Sequence, residues 1–248
     1  MCTVVILRRP SSAWPIILAA NRDERIERPW LAPGRHWSDR PDVVAGRDEL
    51  AGGTWLGLND YGVVAGVMNR EGSLGPDPDK RSRGELVLEA LDHADADSAV
   101  EALGHLDGTA YRPFNLVVAD NRDAYWLKSI GSGQPLISPL AAGISMITAW
   151  DLNDTSSARI AAFLPLFKEV EPPTPEASDW EDWEALMAAG QPVYPPTPRT
   201  SMAIDTSDGY GTVSSSMIAL PRDMPEICPV WRFCGGRPGI MPYEDITI

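Results

Sequence analysis

Short apolar runs recur along the first third of the chain, each ended abruptly by turn-forming residues. Thr3 to Leu7 is densely apolar, the stretch from Arg8 to Pro15 interrupts it, and Ile16 to Ala20 resumes it. Two such runs around a short connection predict a hairpin with both strands covered. Residues 54–58 and 63–68 flank Asn59-Asp60-Tyr61-Gly62, whose turn chemistry predicts a second hairpin. The period then changes. Ser82 and Glu85 have the spacing of a capping box ahead of Leu86, Leu88 and Leu91, and Val100, Leu103 and Leu106 predict a helix over Asp97 to Leu106. Residues 114–120 and 124–129 read as strands about an Asn121-Arg122-Asp123 turn, and 143–149 as another. Ile160, Phe163, Leu164 and Phe167 predict a helix over Thr155 to Val170, with Pro165 kinking or breaking it.

Residues 169–198 are rich in proline and acids. They read as a surface excursion of one domain spanning 1–248, holding a short helix capped by Ser178 with Glu181 three positions on. Residues 200–204 and 213–220 then predict two strands. Strands joined by short turns, with helices grouped in blocks, predict an α+β fold: two antiparallel sheets packed together, helices outside.

Charge narrows the partners. The chain has 248 residues, 21 Lys and Arg against 35 Asp and Glu, and a formal charge of −14. A surface of that sign disfavours nucleic acid and anionic membranes. No run reaches the roughly 18 apolar residues of a membrane-spanning helix. Arg8, Arg9 and Pro10 interrupt the opening run before a signal-peptide core could form, so the expectation is a cytoplasmic protein. The cysteines are Cys2, Cys228 and Cys234, and the histidines His36, His93 and His105 are scattered. Neither set has the spacing of a metal site, so no metal ligands are expected.

Cys2 follows the initiator methionine. It is either a small residue opening an apolar strand or, after removal of Met1, a terminal residue carrying thiol and α-amine on one carbon. Asn21-Arg22-Asp23-Glu24 ends the second apolar run. If the strand continues, alternation sends Asn21 and Asp23 to one face and Arg22 and Glu24 to the other. A hairpin of the first two strands brings Cys2 and Asp23 together. Gly52-Gly53 before Trp55 permits close backbone approach or positive φ, and Asn69 ends its strand with an amide that can donate to developing negative charge.

These stretches, taken together, resemble a known family. "MC" at the start, "LAANRDE" at 18–24, "GGTWLG" at 52–57, "RGEL" at 83–86, "FNLVVAD" at 114–120 and "GYGT" at 209–212 are similar to the NRDE family, also called the transport and Golgi organisation protein 2 family. The resemblance implies a four-layer αββα sandwich of the N-terminal-nucleophile hydrolase type. It implies Cys2 as nucleophile; the chemistry of such a site then gives Asp23 the positioning of the α-amine and Asn69 the holding of the oxyanion, with Asn21, Arg22, Trp55, Asn115 and Met146 expected around the ligand. Met146 stands where many relatives have an amide donor, and Val213 where they often have Arg.

The implied activity is cleavage of a C–N amide or related acyl bond of a small metabolite, without a resident cofactor. The alternative is a non-catalytic carrier of a hydrophobic metabolite such as haem or an acyl lipid in the same cleft, with Cys2 or a histidine as haem ligand. A third reading makes 169–198 a protein-interaction segment.

Overall fold

A computed structural model describes residues 2–190 and 200–248. The chain forms two antiparallel sheets. The first joins, in spatial order, β10 (Gly143–Ile147), β1 (Thr3–Arg8), β2 (Ile16–Arg25), β11 (Tyr210–Leu220), β12 (Val230–Cys234) and β13 (Glu244–Asp245). The second runs in chain order: β3 (Trp30–Gly34), β4 (Val43–Asp48), β5 (Leu56–Asn59), β6 (Val64–Asn69), β7 (Phe114–Ala119), β8 (Ala124–Ser129) and β9 (Leu136–Pro139).

Both faces of the central strands of each sheet are buried, which is why those strands read as continuous apolar runs. Ile6, Ile16 and Leu18 of the first sheet meet Leu56, Leu58 and Val117 of the second in a core between the sheets. Helices α1 (Gly84–Leu91) and α2 (Ala96–Gly104) cover the outside of the second sheet. Helices α3 (Ala158–Glu169) and α4 (Glu181–Ala188) cover the first, where Val5, Ile17 and Ala19 pack on Phe163, Phe167 and Trp183. The result is the αββα sandwich. Among the described residues, no helix is long and apolar enough to cross a membrane.

Several local expectations give way to packing. Arg83, not Ser82, is the residue before α1, and no side chain caps that end. Ser82 Oγ instead accepts from the Gly84 N–H. Ser178 sits in left-handed backbone, φ 54°, and α4 starts after Trp180 without a side-chain cap. Pro165 neither ends nor divides α3. Pro165 and Ala161, whose carbonyl loses its partner, both lie on the exposed face of the helix. Residues 200–204 form no strand. Their backbone bonds outward instead, Ala203 N–H to Ala189 O and Ile204 N–H to Thr212 Oγ1.

Within the 169–198 stretch, read from sequence as a surface excursion, Trp180, Trp183 and Met187 are buried against α3 and the first sheet. Residues 191–199 lie outside the described ones. The sequence reading omitted β3, β4, β9, β12 and β13.

Two glycines fix where the sheets open. A Cβ on Gly53 would stand 2.6 Å from the Gly84 carbonyl carbon, and one on Gly46 would stand 2.3 Å from the Trp55 ring. The first contact lets the 52–57 segment lie against the start of α1, with Thr54 N–H bonded to Gly84 O. The second lets the Trp55 ring approach the backbone of β4.

Candidate active site

Strand pairing places the thiol. Thr3 pairs with Asn21, so one step along the ladder Cys2 lies opposite Arg22. Alternation sends the Cys2 side chain, like Val4 and Ile6, toward the second sheet, at the edge of the inter-sheet core. There it borders a cleft of about 930 Å³. Its Sγ is 3.8 Å from the Asp23 carbonyl oxygen.

Burial pushes the Cys2 thiol above its ordinary value, and the Asp23 charge adds to this while Arg22 partly offsets it. A raised pKa leaves the protonated thiol at neutral pH. In the chain that retains Met1, iodoacetamide labelling of Cys2 is therefore expected to rise with pH only above the range near 8.5 of a free cysteine. Peptide mass spectrometry across pH 6–10 reads this, and a midpoint below 8 would contradict the burial.

Asp23 sits on the opposite face of β2. Its Oδ2 takes a hydrogen bond from Arg159 Nη1 at 3.0 Å and its Oδ1 one from Thr212 Oγ1 at 2.7 Å. Side-chain exposure is 3% for Arg159 and 0% for Asp23. Arg159 also donates to the Thr3 hydroxyl, and the Tyr210 hydroxyl donates to the Asp23 carbonyl oxygen at 2.8 Å. One carboxylate thus ties β2, β11 and α3 together behind Cys2, and β1 joins them through Thr3. The sulfur faces the backbone of Asp23, while the carboxylate turns toward α3.

Arg22 shares the inward face with Cys2. Its guanidinium lies 4.0 Å from the Trp55 ring centroid, and its Nη2 donates to Asp48 Oδ2 at 3.0 Å. Arg28 grips the same carboxylate with Nε and Nη2, at 2.6 and 3.0 Å. Burial works to raise the Asp48 pKa, but the Arg28 bonds and the Ala51 N–H outweigh it and hold the group ionised below its usual range. Among the described residues Arg22 Nη1 has no hydrogen-bond partner, although the side chain is only 4% exposed. A buried, unpartnered cationic donor beside a thiol is an unusual arrangement. Trp55 and Asn69 also border the cleft, Asn69 from the end of β6.

Three expected ligand-side residues lie elsewhere. Asn21 is buried on the helix face, its Nδ2 donating to Met187 O and Met202 O, each at 2.9 Å. Asn115 has no capacity left for a ligand. Its Nδ2 donates to Thr148 O and Trp150 O, and its Oδ1 accepts from Arg70 Nη1 and Trp126 Nε1. Met146 points away from the cleft into the cluster under α3, because β10 alternates and Ile147 takes the inward place. Val213 sits in the irregularity between Thr212 and Ser214 and is buried. Neither Met146 nor Val213 borders the cleft. Met146→Asn is accordingly expected to bury an amide among apolar side chains and destabilise the chain by roughly 2–4 kcal/mol, with no new donor in the cleft. Thermal melting alongside any acyl-transfer assay checks both halves.

The sequence reading did not single out Arg159, Tyr210, Thr212 or Asp48. Tyr210 and Thr212 belong to the "GYGT" stretch, a usable signal. Arg159 had none, because a lone arginine in a helix's first turn reads as solvated. Among the described residues no three His, Cys, Asp or Glu gather as a metal site. His36, His93 and His105 are not among the residues bordering the cleft.

Known proteins resemble this chain in sequence and in fold. The family model for Transport and Golgi organisation 2 matches residues 1–227. The chain is 40% identical over 124 residues to the Transport and Golgi organization 2 homolog of Mus musculus, a match covering 45% of this chain and 42% of that protein. It is 41% identical over 124 residues to the Bos taurus homolog, with the same coverage. The match thus spans less than half the length of these relatives.

Among solved structures, the Caenorhabditis elegans ortholog of N-acylethanolamine-hydrolyzing acid amidase superposes with TM-score 0.59 at 14% identity, covering 90% of this chain and 94% of that one. Penicillin V acylase from Agrobacterium tumefaciens gives 0.53 at 17%, covering 100% and 86%. A C2A mutant of conjugated bile acid hydrolase from Clostridium perfringens gives 0.54 at 9%, covering 99% and 92%. At these identities the likeness is one of fold alone.

Proposed function

The chain belongs to the Transport and Golgi organisation 2 family, and from that premise we propose that it is a cysteine amidohydrolase of the N-terminal-nucleophile type. It acts, after removal of Met1, on a C–N amide or related acyl bond of a small metabolite. The observation that carries the reading is the pairing of the Cys2 thiol with the unpartnered Nη1 of Arg22 at one cleft. That the structural neighbours are an acid amidase, a penicillin acylase and a bile acid hydrolase supports it as analogy.

The chemistry runs from these groups. With Met1 gone, the Cys2 α-amine titrates near 7.7–8.0, low enough for a neutral fraction to take the thiol proton. Burial, which raises the thiol pKa, makes such a base necessary. Sulfur attacks the carbonyl, a C–S bond forms, and negative charge moves to oxygen. Arg22 Nη1 and the Asn69 amide are the donors available to that oxygen. The α-ammonium returns its proton to the leaving nitrogen, the C–N bond breaks, and water then hydrolyses the thioester to release acid and restore the thiol. Asp23 positions the terminal residue through the β1–β2 pairing and does not touch the sulfur with its carboxylate.

Intact-mass measurement of purified protein after exposure to an electrophilic acyl probe tests this. A chain lacking Met1 and carrying one probe adduct at Cys2 is expected. Retained Met1 would end the reading, because an acylated nitrogen is no base. The carrier reading draws on the same part-buried thiol: its signature is ligand binding, with a shifted Soret band for haem, that survives loss of Met1 processing and shows no turnover.

A further inference from the structure

The cleft carries the opposite charge balance from the protein around it. Eight of the 21 Lys and Arg border it, against six of the 35 Asp and Glu, in a chain of charge −14. Five of those cations are already paired: Arg22 and Arg28 with Asp48, Arg25 with Glu27, Arg70 with Asp151, Arg81 with Glu85 and Glu89. Three are not. Lys80, Arg83 and Arg112 form no ion pair among the described residues.

Their donors reach neutral oxygens only. Lys80 Nζ donates to Thr109 O, and Arg83 Nη1 to Ser73 O, Ser73 Oγ and Pro113 O. Arg112 Nη2 donates to Gly72 O and its Nη1 to Pro76 O. Both guanidiniums converge on one acceptor, the Gly75 carbonyl oxygen, from 3.4 and 3.5 Å. The nearby acid Asp77 accepts from the Asp79 N–H in its own turn. Carbonyls satisfy donors without cancelling charge, so two like charges stand together on one wall of the cleft. Burial and the charge of Arg112 push Arg83 down to about 10, the direction that positive charge without a counter-ion produces.

We infer that Lys80, Arg83 and Arg112 form an anion subsite that holds a carboxylate or phosphate on the headgroup of the acyl substrate while its carbonyl lies at Cys2. Arginine forks fit both planar carboxylate and phosphate. The subsite rests on the amidohydrolase reading for the position of the carbonyl, but not for the anion itself. Its placement follows from the fold: the Gly53–Gly84 contact brings the start of α1, and with it Arg83, to the cleft that Cys2 enters from the other sheet.

The test is titration calorimetry on the Cys2→Ala chain, which binds without turnover. The probes are N-decanoylglycine, N-decanoyl-phosphoethanolamine and the neutral N-decanoylglycinamide. At least one anionic probe is expected to bind about tenfold or more tighter than the neutral amide. Arg83→Gln and Arg112→Gln should each erase most of that preference without altering binding of the neutral probe. Which anionic probe wins identifies the headgroup. Lys80→Gln and Arg112→Gln serve if Arg83→Gln fails to fold. Equal binding of all three probes, no binding of any, or a preference that persists in the folded variants would overturn the subsite. Anion preference in a wild-type chain without turnover would refute the amidohydrolase reading and leave the subsite standing. Turnover of neutral amides with no anion preference would do the reverse.

Discussion

Asp23→Ala is expected to lower stability by roughly 3–5 kcal/mol, the cost of stripping a partner from a buried charge. The Arg159 guanidinium would keep its place at 3% exposure without the carboxylate 3.0 Å away. Thr212 Oγ1 would lose its acceptor on that side chain as well. For a chain of this size each kcal/mol moves Tm by about 2–4 °C, so the melting transition should fall by about 10 °C. The double variant Asp23→Ala, Arg159→Met should recover much of the loss, because it removes the buried positive charge along with the carboxylate. Stability within 1 kcal/mol of wild type for the single variant would show that the pair does not hold β2, β11 and α3 together. Activity of the double variant separates the two roles. If Asp23 also positions the terminal amine, the refolded double variant stays slow and its pH–rate profile moves.

Cys2→Ala should cost at least about a thousandfold in turnover, the scale on which nucleophile removal acts in covalent hydrolases. Its effect on stability should be small. The side chain is only partly buried, it packs at the margin of the inter-sheet core, and its thiol makes one long contact to a carbonyl oxygen. Alanine removes one sulfur from a site that opens on the cleft, so no closed cavity forms. A Tm within about 2 °C of wild type with turnover abolished is the expected pair of results. Residual turnover above a few per cent would remove Cys2 from the chemistry.

Much of this architecture follows from local pattern. The β1–β2 and β5–β6 hairpins read directly, because each apolar run ends in residues whose backbone preferences turn the chain. The neighbourhood of Cys2 and Asp23 followed from antiparallel register alone. The strands that escaped notice have other signatures. β3 reads Trp30-Leu31-Ala32-Pro33-Gly34 and is largely exposed, and β9 is an exposed edge of four residues ending in proline. Such strands are defined by the neighbour they pair with. Helix starts failed for a related reason. Ser82 and Ser178 have the right chemistry for caps, but the Gly53–Gly84 contact and the burial of Trp180 and Trp183 decide where α1 and α4 begin.

Side-chain orientation divides the site the same way. Alternation correctly separates Asn21 and Asp23 from Arg22, yet it cannot say which face meets a cleft and which meets a helix. That depends on what packs there: α3 and α4 outside the first sheet, and Trp55 of the second sheet inside. Asn21 and Met146 therefore fall under helices, and Asn115 is saturated by the β10–α3 connection and its neighbours.

By itself, the sequence determined the sandwich of sheets and the meeting of Cys2 with the Asn21–Glu24 strand end, because period and register act between residues close along the chain. Only the tertiary structure decided which of the polar residues reach the cleft, and that Lys80, Arg83 and Arg112 share one wall with no counter-ion among the described residues. Those facts depend on contacts between segments far apart in sequence, where volume and charge balance, not local preference, set the outcome.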